Sequence, residues 1–174
     1  MITPPLPVPL DEGSRSFVGP RLTTAAEALA LVGGVLMLVV AALVTLSVLM
    51  RWLLGDGISG DFELVQIATA LGAFAFLPLC QARHGNVIVD TFTAKLSRRA
   101  RDRLDALWDL TYAALIAVLS WRLALGALDA FASQTTSMVL GIPQGYAIAA
   151  CAVMGMFLTI VAVATAVRLV KGGR

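Results

Sequence analysis

The sequence predicts an all-α integral membrane protein with four transmembrane helices. Of its 174 residues, 59% are hydrophobic and 14% are charged, and its mean hydropathy is +0.87, values far from those of soluble domains. Four apolar runs are long enough to cross a hydrocarbon core of about 30 Å at about 1.5 Å per helical residue. The Lys and Arg residues are also concentrated in the loops and tails of one predicted side of the membrane. We place the helices at about residues 28–50, 64–82, 107–128 and 147–167.

The first 24 residues differ from the rest of the chain. They contain five of the seven prolines, and we expect a flexible cytoplasmic tail there. Helix one follows as a run of about 23 residues without a charge, closed by Arg51 and Trp52. This run is too long for the apolar part of a signal peptide, so we expect it to remain as a helix. Residues 25–174 are therefore predicted to form one membrane domain.

Helix two begins after a short turn rich in Gly and Asp, which makes helices one and two antiparallel neighbours. It begins with the acidic segment DFELVQ, which places Glu63 near the start of the helix. Gln66, Thr69 and Gly72 recur at helical spacing on one face, which suits packing against protein. Near the end of the run, Pro78 is expected to kink or terminate the helix.

An amphipathic segment precedes helix three, with apolar residues at three-to-four spacing and basic residues on its other face. Ser97 is the expected N-cap of a helix that begins at Arg98 and continues into helix three. The segment either lies on anionic lipid at the cytoplasmic interface or docks another subunit. Helix four is entered through GIPQGY, where Pro143 suits a first helical turn.

The positions of Lys and Arg predict the orientation in the membrane. Eleven of the thirteen lie in the tail, in the central loop or at the end of the chain, which leaves Arg51 and Arg122 for the other side. By the positive-inside rule, both termini and the central loop are cytoplasmic, and the two short turns face outward. Trp108 would then mark the inner interface, and Trp52 and Trp121 the outer one.

Arg122 is the charge that fits least well in a membrane helix, because an arginine at a helix centre costs about 2.5–3.5 kcal/mol on insertion scales. Counted from the end of the apolar run at Leu128, it lies about 9 Å inside. Three roles are open: snorkelling to the interface, pairing with a carboxylate on another helix, or contacting a substrate. Glu63 is the first partner to test.

Other polar residues give no sign of an enzyme, a metal site or a cofactor site. The sequence has no nucleophile elbow, paired metal ligands or phosphate loop. His84, the one histidine, is either a hydrogen-bonded residue of the central loop or a pH-sensitive switch. Cys80 and Cys151 lie in apolar runs, as small packed thiols do. The net charge of +2 is small, so nucleic acid is not an expected partner and membrane lipid is.

Four blocks follow one another in a distinctive order. They are Arg51 at the end of helix one, the acidic entry DFELVQ, the central RHGNVIVD, and QTTSMVLGIPQGY before helix four. Together they resemble the small permease subunits of TRAP transporters, the tripartite ATP-independent periplasmic family. The chain departs from that pattern at Gly60 and Asp61, where family members often carry Trp or Pro.

The resemblance implies a place in a three-part importer of the bacterial inner membrane. A periplasmic binding protein captures the solute, usually an organic acid, and a large multi-helix permease moves it inward on a cation gradient, generally sodium. The small subunit is a membrane scaffold without a substrate site. The alternative is a stand-alone four-helix transporter or a structural anchor of another complex. Residues expected to shape the subunit or face its partners are Arg51, Glu63, His84, Asp90, Arg122, Gly141 and Pro143.

Overall fold

The computed structural model describes residues 19–83 and 98–170, which form four α-helices and no strands. The helices are α1 (Pro20–Leu54), α2 (Asp61–Ala82), α3 (Arg98–Ala132) and α4 (Gln144–Val170). Each of the four contains a stretch long and apolar enough to cross a membrane. The four predicted membrane helices are thereby confirmed, whereas their direction across the membrane stays a prediction.

Two of the helices are longer than the apolar runs that predicted them. α1 and α3 contain 35 residues each, which is about 50 Å of helix. Pro20 opens α1, at a position where the missing N–H has no helical partner to lose. Gly55 ends it in the left-handed conformation, with φ of 79°, and donates its N–H to the Arg51 carbonyl. α3 is described from Arg98, where the described residues resume, so its predicted start at Arg98 with Ser97 as N-cap stays a prediction.

The helices pack in the spatial order α1, α2, α4, α3. α2 and α4 contact each other in the middle, α1 packs on α2, and α3 packs on α4. The chain therefore consists of two antiparallel hairpins that meet along α2 and α4. We call the end with the α1–α2 turn and the α3–α4 loop the turn end. The opposite end, where α1 begins and α2 and α4 finish, is the terminal end.

Small residues bring neighbouring helices close together. A Cβ atom added to Gly33 of α1 would lie 2.7 Å from the Cβ of Ala75 in α2. A Cβ added to Gly72 of α2 would lie 2.8 Å from the sulfur of Met37 in α1. In the other half of the molecule, Gly155 of α4 is in contact with Ser120 of α3. A side chain at Gly33 would separate α1 from α2, whereas one at Gly72 or Gly155 would require the Met37 or Ser120 side chain to move.

The predicted polar face of α2 is divided between two environments. Gly72 is buried against α1, whereas Gln66 and Thr69 are exposed on the chain's surface. Pro78 is buried inside the helix, which continues to Ala82. The proline therefore does not terminate α2 at its own position, and the helix ends one turn later.

The terminal end is joined by one ion pair and one buried hydrogen bond. Arg83, just after α2, lies 2.8 Å from Glu27 of α1. Gln81, almost fully buried, donates its amide to the Asp109 carboxylate of α3 at 3.0 Å. These contacts link the end of α2 to α1 and to α3. Most of the central loop lies outside the described residues, and so do the side chains of residues 98–103.

Candidate functional site

Glu63, in the first turn of α2, holds the loop between α3 and α4. One carboxylate oxygen accepts the N–H of Val139 at 2.8 Å, and the other accepts the N–H of Leu140 at 2.9 Å. Hydrogen bonds to an ionised acceptor are among the stronger ones in proteins. Because Glu63 belongs to the first hairpin and the loop to the second, this pair of bonds fastens the two hairpins together at the turn end.

The α3–α4 loop, residues 133–143, also folds back on itself. The Ser137 N–H donates to the Ile142 carbonyl at 2.9 Å, and the Ile142 N–H donates to the Ser137 hydroxyl at 3.1 Å. The Gln144 N–H donates to the Thr135 carbonyl at 3.0 Å. With its own backbone groups paired in this way, the loop is a defined surface feature, and Glu63 fixes it to α2.

Gly141 and Pro143, two of the predicted residues, shape this loop. Gly141 has φ of 65°, a left-handed conformation that favours glycine. Pro143 forms an antiparallel bridge with Thr136 and directly precedes α4, so it lies just outside the helix that it was expected to begin. Met138 at the tip is fully exposed. An apolar tip of this kind is available for contact with lipid or with another protein.

A second cluster closes the α1–α2 turn. The fully buried Ser47 donates its hydroxyl to Asp61 at 2.7 Å and accepts the Ile58 N–H at 3.1 Å. Arg51 lies 3.9 Å from the same Asp61 oxygen, and its side chain is 65% exposed. An exposed ion pair of this length contributes little. The Ser47 hydroxyl therefore does most to fix the turn, with Arg51 beside it at the turn end.

Sequence reasoning identified Glu63 and Arg51 as residues of the turn end but did not identify their partners. Ser47 was missed. It is a serine within an apolar run, and Asp61 follows just across the short α1–α2 turn, so a hydrogen bond between the two could have been predicted. The backbone amides that Glu63 binds carry no sequence signal, because every residue except proline has one. His84 and Asp90 lie outside the described residues, so their predicted roles stay predictions.

An open cleft of about 410 Å³ lies beside Glu63, between α2, α4 and the loop tip. Its walls are mainly apolar, with Gln66 and Gln144 as polar groups. Both oxygens of the Glu63 carboxylate are already engaged by the loop. In the described part of the chain, no group of three or more His, Cys, Asp or Glu side chains is placed to hold a metal ion. The cleft therefore resembles a packing surface more than a reaction site.

Arg122 lies near the middle of the molecule's height. The Ser120 hydroxyl and a ring carbon of Phe74 both lie beside Gly155, which puts the three residues at about one level, to within the length of a phenylalanine side chain. Arg122 is two residues, or about 3 Å, from Ser120 toward the turn end, and Glu63 is eleven residues, or about 16 Å, from Phe74 in the same direction. Arg122 is therefore about 13 Å below the level of Glu63.

This depth changes the interpretation of Arg122, and it places the neighbouring Trp121 well below the outer interface that it was expected to mark. The depth of about 9 Å expected from the sequence was counted from Leu128. It was too small because α3 continues to Ala132. Pairing with Glu63, the first partner considered, does not occur, since Glu63 binds the loop. Among the described side chains, the ion pairs are Arg51–Asp61 and Arg83–Glu27, and Arg122 is exposed.

A comparison with protein families decides the identity. The family described as tripartite ATP-independent periplasmic transporters, DctQ component, matches residues 40–172. The chain belongs to the DctQ family. The match runs from the middle of α1 to beyond α4, so it includes Glu63, the loop that Glu63 holds, and Arg122. No curated protein and no solved structure matches the chain.

Membership in the DctQ family makes the chain the small permease component of a TRAP transporter. DctQ proteins are transporter components and not an enzyme family. The family works with a large permease component and a binding protein. The four apolar helices agree with a multi-pass membrane protein of this kind.

Proposed function

We propose that this chain is the membrane scaffold of a TRAP-type secondary importer. It binds a large multi-helix permease within the inner membrane, and a periplasmic binding protein delivers the solute to that complex. The solute is an organic acid or a similar small molecule, and a cation gradient, with sodium as the expected ion, drives its uptake. The family match over residues 40–172 carries this proposal.

The distribution of polar groups supports a scaffold and not a transport path. Buried polar side chains of the described residues lie toward the two ends, as at Ser47 and Gln81, or bond to their own helix. Ser120, at the middle, donates to the Ile116 carbonyl, and Thr165 donates to the Val161 carbonyl. These side chains form no continuous polar route between the helices. Solute selectivity therefore belongs to the other components.

The orientation proposed for the complex places both termini and the central loop in the cytoplasm. Arg21, Arg83 and Arg168 all belong to the terminal end, whereas Arg51 lies at the turn end. This asymmetry of basic residues supports a cytoplasmic terminal end. The Glu63-bound loop then faces the periplasm, on the side where a binding protein arrives.

The test is a co-purification from the native host in mild detergent, with a tag on this chain. We expect a large multi-helix permease in near-equal amount, and loss of solute uptake in cells that lack this chain. Recovery of the chain alone, or only as its own oligomer, would contradict the scaffold function. The stand-alone transporter or structural anchor would then become the leading hypothesis, with Arg122 as the first candidate for a transport contact.

A further inference from the structure

Arg122 lies near the middle of the height of the four apolar helices, where a bilayer that covers them would offer its guanidinium little water. It is about 13 Å from the level of Glu63 and about 15 Å from that of Ala82 at the other end of α2. An arginine stem, with three methylene groups and a planar head, reaches through about half of either distance. The guanidinium remains charged at any accessible pH. Facing hydrocarbon at this depth, the charge would be unfavourable unless a partner compensated it.

No acidic group of the described chain compensates this charge. α3 packs on α4 through Ala106, Ala113, Ser120 and Ala127, which are buried at intervals of seven residues. Arg122 is two residues from Ser120 and therefore points away from that packed face. The nearest carboxylate on its own side of α3 is Asp129, seven residues or about 10 Å away along the helix. No ion pair joins the two.

The surroundings of Arg122 form an open helix face. Leu115, two turns before it, is 66% exposed, and Val118, one turn before it, is 63% exposed. Gly126, one turn after it, has no atom within 4 Å of the position that a Cβ would occupy. This outer face of α3, from Leu115 to Gly126, therefore has room for a second helix to approach closely around the arginine.

We propose that this face of α3 is the contact surface for the large permease, through a transmembrane helix that places a carboxylate against Arg122. Charge complementarity selects this occupant, because lipid tails supply no anion at that depth and a second copy of the chain would bring a second arginine to the same height. The proposal rests on the scaffold function and names the surface by which it is exercised.

The first experiment maps the neighbour of this face in native membranes. A photo-crosslinking amino acid replaces Val118, with Arg122 left intact, in cells that make the whole transporter. We expect an adduct with the large permease, in a transmembrane segment that carries Asp or Glu within about one helical turn of the crosslinked residue. An adduct with lipid alone, with a second copy of this chain, or with a segment that lacks a carboxylate would overturn the proposal.

A matched control comes from the opposite flank of the molecule. Leu38 of α1 is 72% exposed and follows Met37, which contacts Gly72 of α2, so it lies at nearly the same height as Arg122. The same photo-reactive residue at position 38 should give far less permease adduct than at position 118. Equal adducts at both positions would also contradict the assignment of the interface to α3.

The second experiment changes the charge. Arg122→Ala should reduce the permease recovered with this chain at least tenfold, and Arg122→Lys should retain most of it. Arg122→Glu should abolish recovery, and exchanging the mapped carboxylate for arginine in the same cells should restore it. Because Arg122 is exposed in the chain itself, the amount of this chain in the membrane should not change.

The outcomes separate this proposal from the one on which it rests. If the unaltered chain recovers no permease, both fail. If it recovers permease and Arg122→Ala recovers as much, the scaffold function stands and the α3 contact fails. Asp129→Asn tests whether Arg122 pairs with the carboxylate on its own helix. If this variant recovers a normal amount of permease, Asp129 is not the partner of Arg122. If it loses as much permease as Arg122→Ala, the two residues form a pair and the proposed carboxylate of the permease is not needed.

Discussion

The carboxylate of Glu63 is the residue on which the turn end depends most. Its two oxygens take one backbone N–H each, from adjacent loop residues of which the first, Val139, lies 76 residues later in the sequence. At the loop, only a substitution by proline removes a backbone donor, and it would also restrain the loop, whereas the acceptor can be replaced by any side chain. The side chain at position 63 is therefore the point at which the loop can be released without changing the loop itself.

We expect Glu63→Gln to loosen the loop. The amide offers one oxygen where the carboxylate offers two, so one of the two N–H donors loses its partner. Hydrogen exchange of the peptide that contains Val139 and Leu140 should become faster by roughly tenfold. Glu27→Gln, which breaks the exposed pair with Arg83 at the terminal end, is the control and should leave that peptide unchanged. Equal exchange in Glu63→Gln and the unaltered chain would disprove the role given to Glu63.

Ser47 provides a second test at the scale of single residues. Ser47→Ala removes the acceptor of the Ile58 N–H and the donor to Asp61, and should lower the free energy of unfolding in detergent by about 1 kcal/mol. Thr45→Ala is the matched control, since the exposed Thr45 hydroxyl bonds only to the Ala41 carbonyl of its own helix. An equal free energy of unfolding in the two variants would contradict the role given to Ser47.

At the scale of helices, the α1–α2 pair depends on one of two adjacent glycines. A methyl group at Gly33 would meet the Cβ of Ala75 at 2.7 Å, whereas the nearest atom to one at Gly34 is a Phe76 ring carbon at 4.0 Å. The two positions share a helix, a height and a residue type. They therefore isolate the effect of close packing from that of helix propensity.

We expect Gly33→Ala to lower the free energy of unfolding by about 1–3 kcal/mol, because the added methyl group overpacks the contact. Gly34→Ala should be neutral or stabilising by about 0.5–1 kcal/mol, since alanine is the better helix former. Adding Ala75→Gly to Gly33→Ala should restore part of the loss. Thermal unfolding in one detergent measures all three, and an equal loss at positions 33 and 34 would rule out this packing argument.

At the scale of the whole molecule, the direction across the membrane is the property to test. In a variant with Cys80 and Cys151 replaced by serine, a single cysteine at the exposed Val139 should react with a membrane-impermeant maleimide in intact cells. A cysteine placed between Arg98 and Arg103 should react only after the membrane is opened. Labelling of that second cysteine in intact cells would reverse the topology.

The sequence predicted the architecture well because hydrophobicity over about 20 residues is a strong local signal. It identified four helices and the family. The extra residues at both ends of α1 and the last turn of α3 were missed because they are compatible with a helix without being apolar. Helix ends outside the hydrocarbon are fixed by caps and contacts that hydropathy does not register.

The details of the site were harder to predict because they depend on pairing between distant segments. The depth of Arg122 follows from the contact of Ser120 with Gly155, which sets the register of α3 against α4. The distance to the end of an apolar run cannot give that register. Gln66 and Thr69 were correctly placed on one face of α2, yet Gly72 proved to belong to the packed side. Helical periodicity groups residues without saying which neighbour they meet.

The spatial order of the helices has a consequence for biosynthesis. The α1–α2 hairpin leaves the ribosome first, and Glu63 has no loop to bind until the second hairpin has entered the membrane. Folding of the chain is therefore completed by a late meeting of two preformed halves along α2 and α4. Residues 1–90 and 91–174, made as separate polypeptides in one cell, should purify together, and Glu63→Gln should weaken that association. Failure of the two halves to associate would mean that the connection between them is needed for assembly.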